Sequence, residues 1–583
     1  MVREKKAWLH GAVGYEIYTR SFQDTTGNGF GDLAGITQRL DHLAWLGVDI
    51  VWLTPIYPSP DHDHGYDVAD YLSVRPDHGD IDDVRALVER AHELGLKVLL
   101  DIVPNHSSSE HEWFKTALAD PSSPEREMYL WKDPGPDGGP PNNWLSHFGG
   151  PAWTLDEASG QYYCHLFLPE QPDFNWRNEA VLEAFDDIYR FWFDIGIDGF
   201  RIDVAHALLK HPSFADNPRN SIPGPDAGPL ERFFAFDHLY DMDQDENVEI
   251  FSRWQHIADE YNATLLAESG VDDHERLARY VGPDALDLSF FLKPGWMDWE
   301  PEKIIKEHLG LAEIEPHGIS WIVCNHDQPR VASRYSKGGL PLEVGQMRAL
   351  AVTTLHMALG GVPFIYYGEE LGLASADIDP AGREDPIATR NDTEGGEARD
   401  VARTPMPWDS SPQNGFSSTT PWIHSPDRSV AETVAAQRDD PDAIVHRYRE
   451  LLQVRKNNPD LYEALFERLA APSSDVGVVQ RGSTLTIANL SDARQSVELP
   501  EGTWRCIYVS NGPKPHDATT NLHVEPDCRS HKPGQMMFIC AQSIDAVFDV
   551  KQRAVIEHLA RVVTPGHVGH APLGESAYVT GHQ

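Results

Sequence analysis

The chain has 583 residues and a formal net charge of −43, with 40% hydrophobic and 10% aromatic residues. That length implies more than one domain, and that composition can bury large cores. A field of this sign repels nucleic acid and anionic membranes, and no run of about twenty apolar residues is present to span a bilayer.

The N-terminal MVREKK is rich in charge and lacks the apolar stretch of a secretory signal. Five scattered cysteines (Cys164, Cys324, Cys506, Cys528 and Cys540) do not read as a disulfide framework, so a reducing, cytoplasmic location is expected. From residue 12 onward, short apolar runs alternate with amphipathic stretches. Residues 12–22 read as a strand and loop, 35–46 as a helix, 49–54 as a strand, 81–94 as a helix and 97–103 as a third strand. This rhythm predicts parallel strands buried on both faces. Between 107 and 176 it gives way to a Pro-, Gly-, Trp- and Asn-rich region, too long for a plain loop and read as an inserted lid subdomain.

The rhythm resumes with a helix over 178–193 and strands at 199–203, 263–267, 285–291, 320–324 and 362–367. Eight strands are the count of a TIM (β/α)8 barrel, assigned here to residues 1–106 and 177–460. A Gly/Asp-rich loop spans about 373–425 and a helix 443–455. Alternating segments such as 476–480 and 484–489 then predict a small antiparallel β domain over 465–550. The tail, 551–583, carries no assignable role.

Four predicted strands end alike, an apolar run opening onto acidic, His or Arg residues. They are LLDIVPNH (Asp101, Asn105, His106), GFRIDV (Arg201, Asp203), LLAE (Glu268) and IVCNHD (His326, Asp327). Barrel strands open their C-terminal ends onto one pocket, so these residues should converge. A single such carboxylate is most often a cap or loop hydrogen bonder; four together indicate a site. Two carboxylates flanking a glycosidic bond can serve as nucleophile and proton donor through a covalent glycosyl intermediate, with about 5–5.5 Å between them. Arg201 lies two residues before Asp203, on the same strand face, and should depress its pKa. Glu268 has no basic neighbour in sequence and reads as the better acid.

These four segments resemble, in order and spacing, the signature regions of glycoside hydrolase family 13, the α-amylase family. QPDFNW (171–176) is similar to a fifth region in its oligo-1,6-glucosidase form, and YEIYTRSFQD, DHDHGYDVADY and RTPMPW (403–408) fit the same group. The resemblance covers about residues 8–550. It implies a barrel, a lid after strand three and a C-terminal β domain, with Asp203 as nucleophile, Glu268 as acid/base and Asp327 as transition-state stabiliser. It also implies that Asp63, His106, Arg201, His326 and Arg403 hold the innermost sugar, with Tyr66 as a platform beneath it and Phe167 lining it from the lid. The expected activity is exo-acting hydrolysis of short α-glucosides. The open alternatives are glucosyl transfer or isomerisation and an inactive sugar-binding relative, which would be expected to have lost one of the three carboxylates. In this subfamily the residue after the nucleophile tracks linkage, and Val204 goes with α-1,6 bonds over α-1,4. Maltose, sucrose and trehalose remain open, because the continuation AHALLKHP departs from the usual run.

Asp24, Thr26, Asn28 and Asp32, with Phe30, form an alternating Gly-spaced segment (DTTGNGFGD) suited to a hard cation and similar to this subfamily's calcium loop. The competing reading is a tight loop closed by its own Asx bonds. The Asp61–His64 cluster alternates faces and is not expected to form a metal cage. Cys324 reads as a packed core thiol.

Overall fold

A computed structural model describes residues 6–389, 399–491, 493, 495–500, 504–510, 522–524 and 538–543. The tail at 551–583, and part of the segment 465–550, lie outside them.

Eight strands form one parallel sheet: β1 (Gly14–Ile17), β2 (Ile50–Leu53), β3 (Lys97–Ile102), then, after an insertion holding β4 to β6, β7 (Gly199–Ile202), β8 (Thr264–Ala267), β9 (Leu288–Phe291), β10 (Ile319–Trp321) and β11 (Phe364–Tyr366). The order β10-β9-β8-β7-β3-β2-β1-β11 leaves two edges, which a backbone bond from Val362 N to Ile319 O (3.1 Å) joins into a barrel. Strands such as Ile50-Val51-Trp52-Leu53 are buried at every position because side chains fill the barrel on one face and helices cover the other. Trp52, Leu99, Leu266, Leu288, Phe290, Ile322 and Phe364 belong to the buried cluster that contains these inner-strand positions. The expected strand at 320–324 is shifted: residues 322–324 leave the ladder and carry the chain toward His326 and Asp327.

The helices stop and start where side chains satisfy their free backbone groups. Helix Leu33–Leu46 is capped by Asp32, which accepts from Gly35 N at 2.6 Å, and ends on Gly47 at φ 103°. Helix Ile81–Glu93 opens with a reciprocal Asp80/Asp83 capping box.

The insertion between β3 and β7 is a three-stranded antiparallel sheet of β4 (Trp131–Lys132), β5 (Trp153–Asp156) and β6 (Gln161–Cys164), with β6 central. The isolated bridge His106↔Asp173 ties its return to the segment just after β3, which brings the lid over the strand ends, and Tyr129↔Phe174 ties that return to the lid itself. Beyond the helix Ile444–Lys456 lie β12 (Phe466–Arg468), β13 (Val476–Arg481), β14 (Thr484–Asn489), β15 (Gln495–Val497), β16 (Trp504–Val509), β17 (Leu522–Val524) and β18 (Phe538–Ser543). They form antiparallel sheets of order β12-β13-β14-β18-β16 and β15-β17.

Candidate active site

The strand-end residues converge as the barrel requires. Arg201, the third residue of β7, points inward and is 1% exposed. Its Nη1 donates to Asp101 Oδ1 (2.8 Å) at the end of β3 and to Asp203 Oδ1 (2.6 Å). Its Nη2 lies 2.7 Å from Glu268 Oε1, just past β8. One guanidinium therefore holds three carboxylates from three strands. Glu268, without a basic neighbour in sequence, has one in space. Its second oxygen accepts the Val204 N–H at 2.9 Å.

Burial pushes the Asp203 carboxyl well above the usual carboxylate range; Arg201 pulls it down, while Glu268 and Asp101 push it up. The expectation from spacing alone, a depressed pKa, is thus corrected: Arg201 acts in the predicted sense, but desolvation outweighs it. Asp101 is likewise raised, to about 7, by burial despite Arg201.

Asp327 is different. Burial works against its charge, but the Arg399 and Arg403 guanidiniums hold its carboxyl well below the usual range. Arg403 Nη2 donates to Asp327 Oδ1 (2.9 Å) and its Nε to His326 O (2.8 Å). Arg399 Nη1 reaches Asp327 (3.3 Å), while its Nη2 donates to Asp63 (2.7 Å) and Asp385 (2.9 Å).

The remaining sequence-predicted residues fall around these groups. Gln171 of the lid return donates to Asp63 (3.3 Å) and lies 3.1 Å from His106 Nε2, which also meets Tyr66 O at 3.1 Å. Phe167 packs its ring against His106 and His147, with centroids 5.2 and 4.7 Å away. Tyr66 Oη contacts Asp101 and His326. Val204 adopts φ 45°, ψ 39°, a left-handed conformation uncommon for a β-branched residue, and is buried in the cluster that also holds Trp144, Phe233 and Met242. Three groups escaped the sequence reading: Glu16, a buried carboxylate inside β1; Arg399; and Lys210, whose ammonium sits 2.9 Å from Asp173 beneath the lid return.

The Asp24–Asp32 loop lies apart from these contacts. Asp24 Oδ1 accepts from Thr26 N (3.0 Å), Gly27 N (2.8 Å) and the Thr26 hydroxyl (3.2 Å), and Oδ2 from Gly29 N (2.8 Å) and Ser417 (2.6 Å). Asp32 accepts from Thr25 N, Thr25 Oγ1 and Gly35 N, and Asn28 Oδ1 from Phe30 N. Each carboxylate oxygen of the loop accepts from neighbouring N–H or hydroxyl groups, as in a tight turn closed by its own Asx bonds. Among the described residues no group of three or more His, Cys, Asp or Glu is placed to hold a metal ion. Asp61, from the neighbouring cluster, instead pairs with Arg20 (2.8 Å) and Arg75 (2.6 Å). Cys324 is buried, and burial pushes its thiol up to about 12.

Residues 16–464 match the family described as alpha amylase, catalytic domain. The chain is 38% identical over 520 residues to a probable alpha-glucosidase of Rhizobium meliloti (strain 1021), covering 86% of this chain and 92% of the relative. It is 36% identical over 567 residues to a trehalose-6-phosphate hydrolase of Bacillus subtilis (strain 168), covering 90% and 98%, and 35% identical over 541 residues to an oligo-1,6-glucosidase of Heyndrickxia coagulans, covering 86% and 95%. The crystal structure of the alpha-glucosyl transfer enzyme XgtA superposes with a TM-score of 0.81 at 32% identity, over 92% of this chain and 99% of that one.

Proposed function

The chain belongs to the alpha-amylase family of glycoside hydrolases, and from that premise we propose that it is a retaining, exo-acting α-glucosidase. It releases the terminal non-reducing glucose of short α-glucosides and favours α-1,6 over α-1,4 links. The observation that carries this reading is the single buried guanidinium of Arg201 gripping Asp203 and Glu268 together. Two carboxyls on one fork sit close, as a double-displacement mechanism needs.

In this mechanism Asp203 attacks the anomeric carbon while Glu268 protonates the departing oxygen, giving a covalent glucosyl ester. Glu268, now a carboxylate, takes a proton from water, which hydrolyses the ester with net retention. Asp327, kept anionic by the Arg399 and Arg403 guanidiniums, stabilises positive charge at the ring in both transition states. Asp63, His106, His326 and Arg403 bind the sugar hydroxyls, Tyr66 lies beneath the ring and Phe167 closes it from the lid. Arg201 has its Nη donors committed to carboxylates, so it acts by orienting them. Val204 borders the leaving sugar. No step passes through a metal.

Turnover of isomaltose, maltose, sucrose, trehalose and trehalose 6-phosphate, with product analysis, tests the reading. Free glucose should appear fastest from isomaltose. Exclusive turnover of the phosphorylated sugar, or rearranged disaccharide in place of glucose, would overturn it. No described helix is long and apolar enough to cross a membrane. Cys164 and Cys324 are buried free thiols, which supports a cytoplasmic setting.

A further inference from the structure

A chain of polar contacts runs under the site and has one proton too few if each group is in its ordinary neutral-pH state. Glu16 Oε1 lies 2.6 Å from His326 Nδ1, His326 Nε2 lies 2.8 Å from Tyr66 Oη, and Tyr66 Oη lies 2.9 Å from Asp101 Oδ2. Each contact is at hydrogen-bond distance and needs one proton between its heavy atoms. Two carboxylates supply none, a neutral imidazole one and a phenol one, so two protons would have to serve three contacts. One contact would then set lone pair against lone pair at less than 3 Å among buried groups.

We propose that at neutral pH the Glu16–His326–Tyr66–Asp101 wire holds an additional proton, at the Glu16 end, and that Glu16 is thereby a positioning residue for the sugar-binding face of Tyr66 and His326. The arrangement is then continuous: Glu16 O–H donates to Nδ1, Nε2–H donates to Tyr66, and Tyr66 O–H donates to an ionised Asp101.

The Glu16 end is chosen because Asp101 is in contact with the Arg201 cation (2.8 Å), which favours its charge, whereas no described cation touches Glu16. Burial raises both end carboxyls, Asp101 to about 7 and Glu16 well above its usual range, and at His326 burial with Arg403 and Arg201 outweighs Asp327 and disfavours an imidazolium. The charges facing the wire are Arg201, Asp203 and Glu268 from β7 and β8, Asp327 beside His326, and Arg399 and Arg403 from the loop after β11. In that crowd of carboxylates a stored proton removes one negative charge. It also fixes the His326 tautomer, leaving Nε2–H and not a bare nitrogen on the pocket side.

The structural half of this inference stands alone; its functional half rests on the glucosidase reading, and two measurements separate them. Neutron diffraction from crystals of the full chain exchanged into D2O at neutral pD should show a deuteron on each of the three contacts. A contact with none would overturn the wire. For function, α-glucosyl fluoride is a useful substrate because fluoride departs without an acid, so Glu268 ionisation does not limit its alkaline range. Wild-type kcat/KM should fall at least about tenfold between pH 7 and a pH one unit past loss of the stored proton, as for one ionisation. Glu16→Gln presents an amide N–H to Nδ1 and cannot ionise, so its kcat/KM should stay within about threefold across the same range. Superimposable profiles, or a uniform loss at every pH in the variant, would reduce Glu16 to packing. If α-glucosyl fluoride is not turned over at all, the glucosidase reading fails while the deuteron count still decides the wire.

Discussion

Replacing Arg201 with Lys tests how the site is assembled, because charge is kept while geometry is lost. The guanidinium makes three separate contacts, at 2.8 Å to Asp101, 2.6 Å to Asp203 and 2.7 Å to Glu268, from two nitrogens set in a rigid fork. A lysine ammonium is a single point at the end of a flexible stem and cannot span carboxylates from three strands. Each charge-assisted bond is worth about 1.5–3 kcal/mol, so losing one lowers kcat/KM by roughly ten- to 150-fold. Losing the contacts to both Asp203 and Glu268 lowers it by about 10²–10⁴-fold. The profile should move as well. Burial already pushes Asp203 up and Arg201 is the group that opposes it, so weakening that opposition raises Asp203 further. The nucleophile must be ionised, so the acid limb of kcat/KM moves to higher pH. The assay is glucose release from isomaltose between pH 4 and 9, with circular dichroism to confirm folding. A folded variant within about threefold of wild type, with an unmoved acid limb, would refute the claim that one guanidinium organises the pair.

Asp203→Asn should cost at least about 10³-fold in turnover while leaving the fold intact by circular dichroism. Glu268→Gln should abolish turnover of isomaltose yet still form the glycosyl-enzyme from a substrate with a good leaving group; equal modest losses in both variants would show binding residues only. Val204→Ala should raise the maltose-to-isomaltose ratio of kcat/KM by roughly tenfold or more, since a methyl-scale change is worth about 1–3 kcal/mol in a pocket. If both activities instead fall together, Val204 is core, as its place beside Trp144 and Phe233 would allow. Asp61→Asn should cost about 2 kcal/mol at pH 7, because burial is outweighed by Arg75 and Arg20, which hold Asp61 at about 2 against its ordinary 3.8. The folded pKa is depressed, so this stability is present above 3.8 and lost as pH falls toward 2. Urea unfolding at pH 7 and at about pH 2.5 should show the deficit shrinking, and a constant deficit would point to lost packing.

Much of the barrel was legible because parallel strands covered on both faces read as unbroken apolar runs, as in Ile50–Leu53 and Lys97–Ile102. The convergence of Asp203, Glu268 and Asp327 followed from their places at strand ends. What the chain did not reveal depends on contacts between distant segments. Arg399 reaches Asp63 across 336 positions and sits in a Gly- and Glu-rich stretch that reads as loop. Glu16 looks like one polar residue within an aromatic strand, and only its 2.6 Å contact with His326 gives it meaning. The pKa of Asp203 was misjudged because spacing shows the neighbouring cation but not the depth of burial. The Asp24–Asp32 loop offered ligand-like oxygens, and only the folded arrangement shows donors already placed on them.

The central claim, a covalent double displacement run by Asp203 and Glu268, is tested most directly by the anomeric form of the first product. Proton NMR during the first minutes of isomaltose hydrolysis, before mutarotation equilibrates the sugar, should show α-glucose forming ahead of the β-anomer. β-Glucose appearing first would mean that water attacks the anomeric carbon directly, and would contradict the account.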